Sequence, residues 1–210
     1  MLPIAETLVM RPMNEFTLLA EPWWVNLFIL VPFFAYSWWR KKGLTVSNWI
    51  LAIAAFFGIA FGFVEAAIVV YLRAAVGLLP GYGGTLADVA RLSSGIYQNA
   101  QLLGELPESL LAVEMFREAA TMIMLLSIAL LAIKSPRERC AVSLWTFASW
   151  DIFYYVGLWA TVRWPPSLLT PDVLFLIPVP WVAPVWFPIL VSALTMIAVV
   201  FARKSAERGP

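Results

Sequence analysis

The 210-residue sequence has no histidine and a single cysteine, Cys140. Without histidine, the chain cannot build histidine-ligated haem or zinc sites, serine–histidine–aspartate triads or histidine proton shuttles. One cysteine excludes a disulfide framework and a cysteine-cluster metal site. Charged residues make up only 13% of the chain and the net charge is +1, so no basic surplus exists to bind nucleic acid.

Hydrophobic residues, by contrast, make up 62% of the chain, and the mean hydropathy is +0.84. A soluble domain has about 45–50% apolar and about 25% charged residues. This composition excludes an ordinary cytosolic domain and a disordered tail. It predicts an all-α fold, a polytopic membrane helix bundle that forms one integral membrane domain over residues 1–210.

Five segments are apolar enough to cross a bilayer, which requires roughly 20 mostly apolar residues. Basic residues concentrate in the short loops after the first and third segments and in the tail after the fifth. The positive-inside rule therefore predicts an external N-terminus and a cytoplasmic C-terminus. The predicted spans are approximately 23–39, 49–72, 110–133, 141–162 and 182–202.

The predicted outer loop, residues 73–109, is the longest connection between spans. Thr85 and Asp88 have the spacing of a capping box, with aspartate in place of the usual glutamate. We therefore expect a short amphipathic helix on the outer surface from about Leu86 to Leu103. The alternative is a plain connector.

A Pro-rich stretch, residues 164–181, precedes the fifth predicted span. Its apolar part, Val173–Ile177, can enter the bilayer but is too short to cross it, and Pro178, Pro180 and Pro184 prevent a continuous helix. Irregular backbone at membrane depth requires cover from protein or a cavity. The stretch predicts a re-entrant or broken segment entering from outside, and the alternative is a kinked, overlong fifth helix.

Charged residues inside predicted spans are the main functional signal, because each costs roughly 2.5–3.5 kcal/mol at the bilayer centre. The topology places most of them in the outer half of the membrane, with Asp151 deepest. Two tyrosines follow Asp151 on its helix face. The candidate substrate-binding residues are Glu65, Glu114, Arg117, Glu118, Asp151, Tyr154 and Tyr155.

Helical spacing groups these residues on shared faces. Polar residues recur at i, i+3, i+4 and i+7 from Glu114 to Thr121, and Asp151 has Tyr154 and Tyr155 at i+3 and i+4. Helices from separate parts of the chain are therefore expected to direct polar groups into one zone.

Small residues form a stripe in the second span, at Ala54, Gly58, Gly62 and Ala66. Such a stripe allows two helices to pack closely. Glu65 borders it and is therefore expected to face another helix rather than lipid.

Arg117 is expected to neutralise one carboxylate and Arg73 another. The remaining one or two must then be protonated, bind a cation or face water, because an unpaired buried charge is too costly. The alternative is that Glu65, Arg117 and Asp151 only hold helices together, with Tyr154 or Tyr155 donating a hydrogen bond to Asp151.

Three strings together resemble small multi-spanning prokaryotic membrane proteins. They are Arg117–Thr121 (REAAT), Trp150–Tyr155 (WDIFYY) and Asp172–Val185 (DVLFLIPVPWVAPV). The resemblance covers a minor part of the chain and implies no substrate, cofactor or mechanism. It implies a multi-pass protein of the prokaryotic inner membrane.

The sequence favours a protein that binds or transports a proton, a cation or a small cationic solute at the carboxylate cluster. One alternative is an outer-leaflet enzyme acting on a lipid or quinone, with catalytic residues unknown. The other is a structural or assembly subunit of a membrane complex. No cofactor is predicted, although carboxylates alone would suit a hard divalent cation such as Mg²⁺. The expected partners are the bilayer and either further copies of the chain or subunits of a complex.

Overall fold

The computed structural model describes residues 18–75, 84–92 and 108–207, and these are mostly helical. A 3-10 helix, Trp23–Leu30, comes first and runs directly into α1. The other elements, in chain order, are α1 Val31–Arg40, α2 Asn48–Ala75, α3 Leu86–Leu92, α4 Glu108–Ala132, α5 Pro136–Val162, β1 Pro171–Phe175, β2 Trp181–Pro184 and α6 Trp186–Glu207.

Three helices are long and apolar enough to span a membrane, namely Asn48–Leu72 of α2, Leu111–Ala132 of α4 and Trp186–Arg203 of α6. The prediction of a helical membrane protein is confirmed to this extent. Helix α5 is longer than α4 but carries more polar and aromatic residues. It packs against α2, α3, α4 and α6, so many of its side chains face other parts of the protein.

The closest helix contact joins α2 to α5 along the predicted stripe of small residues. A Cβ atom added to Gly58 would lie 2.7 Å from the carbonyl oxygen of Thr146, and one added to Gly62 would lie 2.6 Å from that of Trp150. On α5, a Cβ atom added to Gly157 would lie 2.9 Å from a side-chain carbon of α2. The expected close packing is therefore confirmed.

These contacts also show that α2 and α5 are parallel, because residues further along α2 meet residues further along α5. Helix α4 runs the opposite way: Arg117 contacts Glu65 of α2, whereas Ala129 packs near Leu51. The start of α6 likewise packs near the end of α5, and its end contacts Leu44 in the loop after α1. Consecutive long helices therefore alternate in direction.

The Pro-rich stretch before α6 forms a two-stranded antiparallel hairpin, which corrects the all-α expectation. Strand β1 pairs with β2 with Asp172 opposite Ala183, and Glu21 extends the pairing by exchanging two backbone hydrogen bonds with Val182. Prolines begin β1 and end β2, where a strand tolerates a missing N–H. The alternative of a kinked, overlong fifth helix is wrong, because α6 begins only at Trp186.

The two ends of the bundle differ. At one end, the loop after α1 packs with α2, α4, α5 and α6 in an apolar core around Trp39, Leu44, Val142 and Val199. At the other, the hairpin and the 3-10 helix lie over the ends of α2 and α5 and the beginnings of α4 and α6. We refer to these as the packed end and the hairpin end.

Part of the predicted surface helix in the outer loop is present as α3. Thr85 and Asp88 form the expected capping box: the Asp88 backbone N–H donates to Thr85 Oγ1 at 3.1 Å, and the Thr85 N–H donates to Asp88 Oδ2 at 3.3 Å. The rest of the predicted helix, up to Leu103, lies outside the described residues.

Candidate functional site

A cavity of about 660 Å³ lies at the hairpin end, between α2, α4, α5, α6, the 3-10 helix and the hairpin. All of the residues predicted to form the site line this one cavity. They are Glu65, Glu114, Arg117, Glu118, Asp151, Tyr154 and Tyr155. That they bind a substrate stays a prediction.

Arg117 forms the positive centre of the cavity wall. Its Nη1 atom donates to Glu65 Oε2, and its Nε atom donates to Glu114 Oε2 at 2.7 Å. Thr121, one turn further along α4, donates from Oγ1 to the other Glu65 oxygen at 2.6 Å. The polar face predicted for α4 therefore binds α2 through Glu65, whose side chain is buried. Glu65 and Arg117 thus link two helices, as the alternative of a purely structural role for these charges predicted.

Glu118 has a different partner. Its Oε2 atom accepts a hydrogen bond from the backbone N–H of Leu176 at 2.8 Å. Leu176 follows β1, at the start of the connection between the hairpin strands. The carboxylate thus attaches the hairpin to α4, and the hairpin forms one wall of the cavity through residues 173–177 and Trp181.

Tyr155 donates from its hydroxyl group to Asp172 Oδ2 at 2.9 Å, which joins α5 to β1. The other Asp172 oxygen accepts the backbone N–H of Val173 at 2.9 Å. Both Tyr155 and Asp172 are buried. Of the two tyrosines expected to donate to Asp151, Tyr155 does not do so, because its hydroxyl group donates to the hairpin instead.

Asp151 accepts a hydrogen bond from Ser192 of α6, with 2.7 Å between Ser192 Oγ and Asp151 Oδ2. Asp151 is only 7% exposed. In the part of the chain that the structure describes, no lysine or arginine forms an ion pair with it. Asp172 is close enough to repel a negative charge on Asp151. Asp151 is thus a buried carboxylate with one neutral donor.

Most of the cavity wall is apolar, and much of it is aromatic. Ring contacts connect Phe28 to Trp181 and Trp181 to Phe175, each with centroids 5.1 Å apart. They continue from Phe175 to Phe147 at 6.4 Å and from Phe147 to Trp150 at 5.4 Å. All five residues line the cavity. The cavity therefore combines an aromatic surface with several carboxylate groups.

Sequence reasoning did not include three polar lining residues in the site: Thr121, Asp172 and Ser192. Thr121 continues the polar face of α4 and Asp172 directly precedes an apolar run, so both carried a signal. Ser192 lies among apolar residues of α6 and had none, because a lone serine in a membrane helix usually bonds its own backbone. The predicted contribution of the Arg73 side chain lies outside the described residues.

Five carboxylates and one guanidinium group are the charged groups among the described lining residues. In the described ranges, no three aspartate, glutamate or cysteine side chains are arranged to hold a metal ion together. The arrangement instead offers separate carboxylates along an aromatic wall. It could hold an organic molecule that presents a positive charge or several hydrogen-bond donors.

Comparisons with family models, with curated proteins and with solved structures found no match to this chain.

Proposed function

We propose that the chain is an integral membrane protein that binds a small organic cation with an apolar body, as a step in moving that solute across the membrane. The positive group pairs with Asp151, and the apolar body lies against the aromatic wall. The site is in the outer half of the bilayer of a prokaryotic inner membrane.

The observation that carries this proposal is the position of Asp151 in the cavity. Arg117 pairs with two of the other carboxylates, Tyr155 donates to Asp172, and the hairpin backbone donates to Glu118. Asp151 has only the Ser192 hydroxyl group as a described hydrogen-bond partner. A cation would give this buried carboxylate the counter-charge that such groups require.

The size and chemistry of the cavity favour an organic cation over a bare ion. A bare proton needs no cavity of about 660 Å³. A hard metal ion takes six or more oxygen ligands, and no suitable group of side chains occurs in the described ranges. Aromatic faces attract organic cations through the ring quadrupole. Phe147, Trp150 and Tyr154 lie beside Asp151 on the same helix.

The proposed five spans are supported by the alternating directions of the long segments. Three of them are α2, α4 and α6. The 3-10 helix with α1 would supply the first and α5 the fourth. Helix α5 can be less apolar because other helices surround it. With basic loops at the packed end, the positive-inside rule assigns that end to the cytoplasm and the hairpin end to the outside. The hairpin would then be the segment that enters from outside.

The test is the binding of tetraphenylphosphonium, a permanent cation with an aromatic body, to the purified full chain in lipid nanodiscs. We expect Asp151→Asn to weaken binding by about 10–100-fold, the effect of losing a charged partner. Glu138→Gln is the matched control, because it also removes one carboxylate but lies at the packed end. It should bind as the unmodified chain does.

Triphenylphosphine oxide, which is neutral and similar in shape, distinguishes charge recognition from simple apolar partitioning. Equal binding of the neutral and charged compounds, or equal binding by Asp151→Asn, contradicts the proposal. Equal binding of the neutral compound would favour an enzyme or carrier for neutral lipids or quinones. Absence of any binding would favour a structural subunit. Uptake of the cation into proteoliposomes then tests transport.

A further inference from the structure

We infer that Asp151 holds a proton in the ligand-free protein and releases it when the cation binds, so that proton and cation occupy this carboxylate in turn. The cation half of this inference rests on the proposed function. The protonation half rests on the surroundings of Asp151 and can be tested without any ligand.

First, few groups near Asp151 can stabilise a negative charge on its carboxyl group. Asp151 is more than nine-tenths buried and lines the cavity. Among the described residues, its hydrogen bonding consists of the Ser192 hydroxyl group at Oδ2, and Oδ1 has no donor. One neutral donor does not replace the hydration that an ionised carboxylate loses on burial. The neutral acid form removes most of this cost.

The second observation is the set of groups around Asp151, element by element. The neighbours of Asp151 on its own helix are Tyr154 and Tyr155, and its neighbour on β1 is Asp172. Helix α6 brings Ser192, which is uncharged. On α2, Glu65 already pairs with Arg117. The hairpin residue Asp172 disfavours a second negative charge nearby, so the surroundings favour a protonated Asp151.

Four further described charged groups, on α5 and on the helices packed against it, have partners of their own. Glu114 shares Arg117 with Glu65, and Glu118 accepts the hairpin N–H. Asp88 on α3 caps its own helix with Thr85. Arg137 at the start of α5 donates to the backbone oxygen of Gly43, at the packed end. Hence none of these described groups supplies Asp151 with a positive partner.

The exchange balances in atoms and charge. In the ligand-free state, the proton is covalently bound to one carboxyl oxygen of Asp151, and Ser192 donates to the other. When the cation enters, the O–H bond breaks and the proton passes to water in the cavity. The carboxylate then pairs with the cation while the Ser192 hydrogen bond remains. One positive charge leaves as one arrives, so the net charge of the buried site is unchanged.

This exchange has a functional consequence. In a carrier whose single carboxylate holds either a proton or a cation, binding of one releases the other, which suits exchange of the two in opposite directions. A proton gradient across the membrane would then drive the organic cation outward, and no second binding site for the proton would be needed.

The protonation half is tested by infrared spectroscopy of the ligand-free full chain in nanodiscs at mildly acidic pH. We expect a C=O band of a protonated carboxylic acid that is absent in Asp151→Asn and retained in Glu138→Gln. Asparagine has the same shape as aspartic acid and can keep the Ser192 hydrogen bond, so the fold should be preserved. An unchanged band in Asp151→Asn overturns the inference, whether or not any cation binds.

The exchange half is tested by calorimetric titration of tetraphenylphosphonium in two buffers with different ionisation enthalpies. We expect about one proton released per cation bound by the unmodified chain at mildly acidic pH, following the linkage between two ligands of one site. Cation binding without proton release overturns the inference and leaves the proposed function standing. Failure of the cation to bind contradicts the proposed function, while the infrared result still decides the state of Asp151.

Discussion

The packed end and the hairpin end are built from the same helices, but they treat polar groups differently. At the packed end, charged side chains lie at the margin and bond the backbone or short polar partners. Arg203 donates to Asn48 at 2.5 Å, and Arg137 donates to Gly43. The interior between them is apolar. At the hairpin end, Glu65, Asp151 and Asp172 are buried inside the structure, next to a cavity.

The packed end thus mainly contributes stability, whereas the hairpin end contains the candidate site. The packed end can hold the helices together by close contact, because the described residues of its interior include no buried aspartate or glutamate. The hairpin end keeps carboxylates in a low-dielectric region at a cost, which proteins retain mainly at functional sites. Perturbing each end should therefore produce different kinds of defect.

The largest effect is expected from Gly62→Leu, at the contact that holds both ends in register. The new Cβ atom would lie 2.6 Å from the Trp150 carbonyl oxygen, and backbone cannot move aside as a flexible side chain can. We expect destabilisation by about 3 kcal/mol, with loss of a monodisperse elution profile in detergent. Ala60→Leu adds similar bulk on an exposed face of α2 and should elute normally.

Arg117→Met should have the next largest effect, because it leaves Glu65 and Glu114 without their common partner. Removing one partner of a buried ion pair costs about 3–5 kcal/mol. Thermal unfolding in detergent measures the loss. Adding Glu65→Gln should restore much of the stability, and no recovery in the double variant would show that the pairing is not what stabilises this region.

Glu118→Ala should affect only the hairpin end. The Leu176 N–H would lose its acceptor, which costs about 1–3 kcal/mol locally. We expect faster hydrogen exchange at the hairpin amides and unchanged exchange in α2 at the packed end. Phe116→Ala, on a residue of the same helix that is 78% exposed, is the control. Equal exchange in both variants would mean that Glu118 does not hold the hairpin.

The smallest effect is expected from Trp145→Phe, which removes the hydrogen bond from Trp145 Nε1 to the Leu51 carbonyl oxygen at 2.9 Å. This contact belongs to the packed end. We expect a loss of about 1 kcal/mol in stability and no change in cation affinity. A reduced affinity would show that the two ends are coupled, contrary to the separation described above.

Much of the helical framework was predictable, because membrane helices are encoded by long apolar runs that local sequence reveals. The boundaries of α2 and α4 agree with the predicted spans to within a few residues. The stripe through Gly58 and Gly62 indicated close packing, and the structure identifies α5 as the partner. Which helix would be that partner depends on tertiary arrangement and had no local signal.

The hairpin was not predicted, although its prolines correctly indicated that a helix could not continue. Prolines exclude a helix without specifying what replaces it, and the pairing of Asp172 with Ala183 depends on residues that lie eleven positions apart. The composition of the site was predictable because buried charges are rare in spans. The partner of each charge was not, as Tyr155 and Ser192 show.

The ion pair between Glu65 of α2 and Arg117 of α4 also has a consequence for how the chain is made. Glu65 leaves the ribosome long before Arg117, so in the proposed topology α2 would enter the membrane while its glutamate still lacks the arginine that later neutralises it. Of the three helices able to span, α2 is the most apolar and the longest. Its surplus of apolar residues would offset the early exposure of Glu65 to lipid. In the proposed topology, the order of synthesis as well as the final packing therefore favours a helix with few other polar groups.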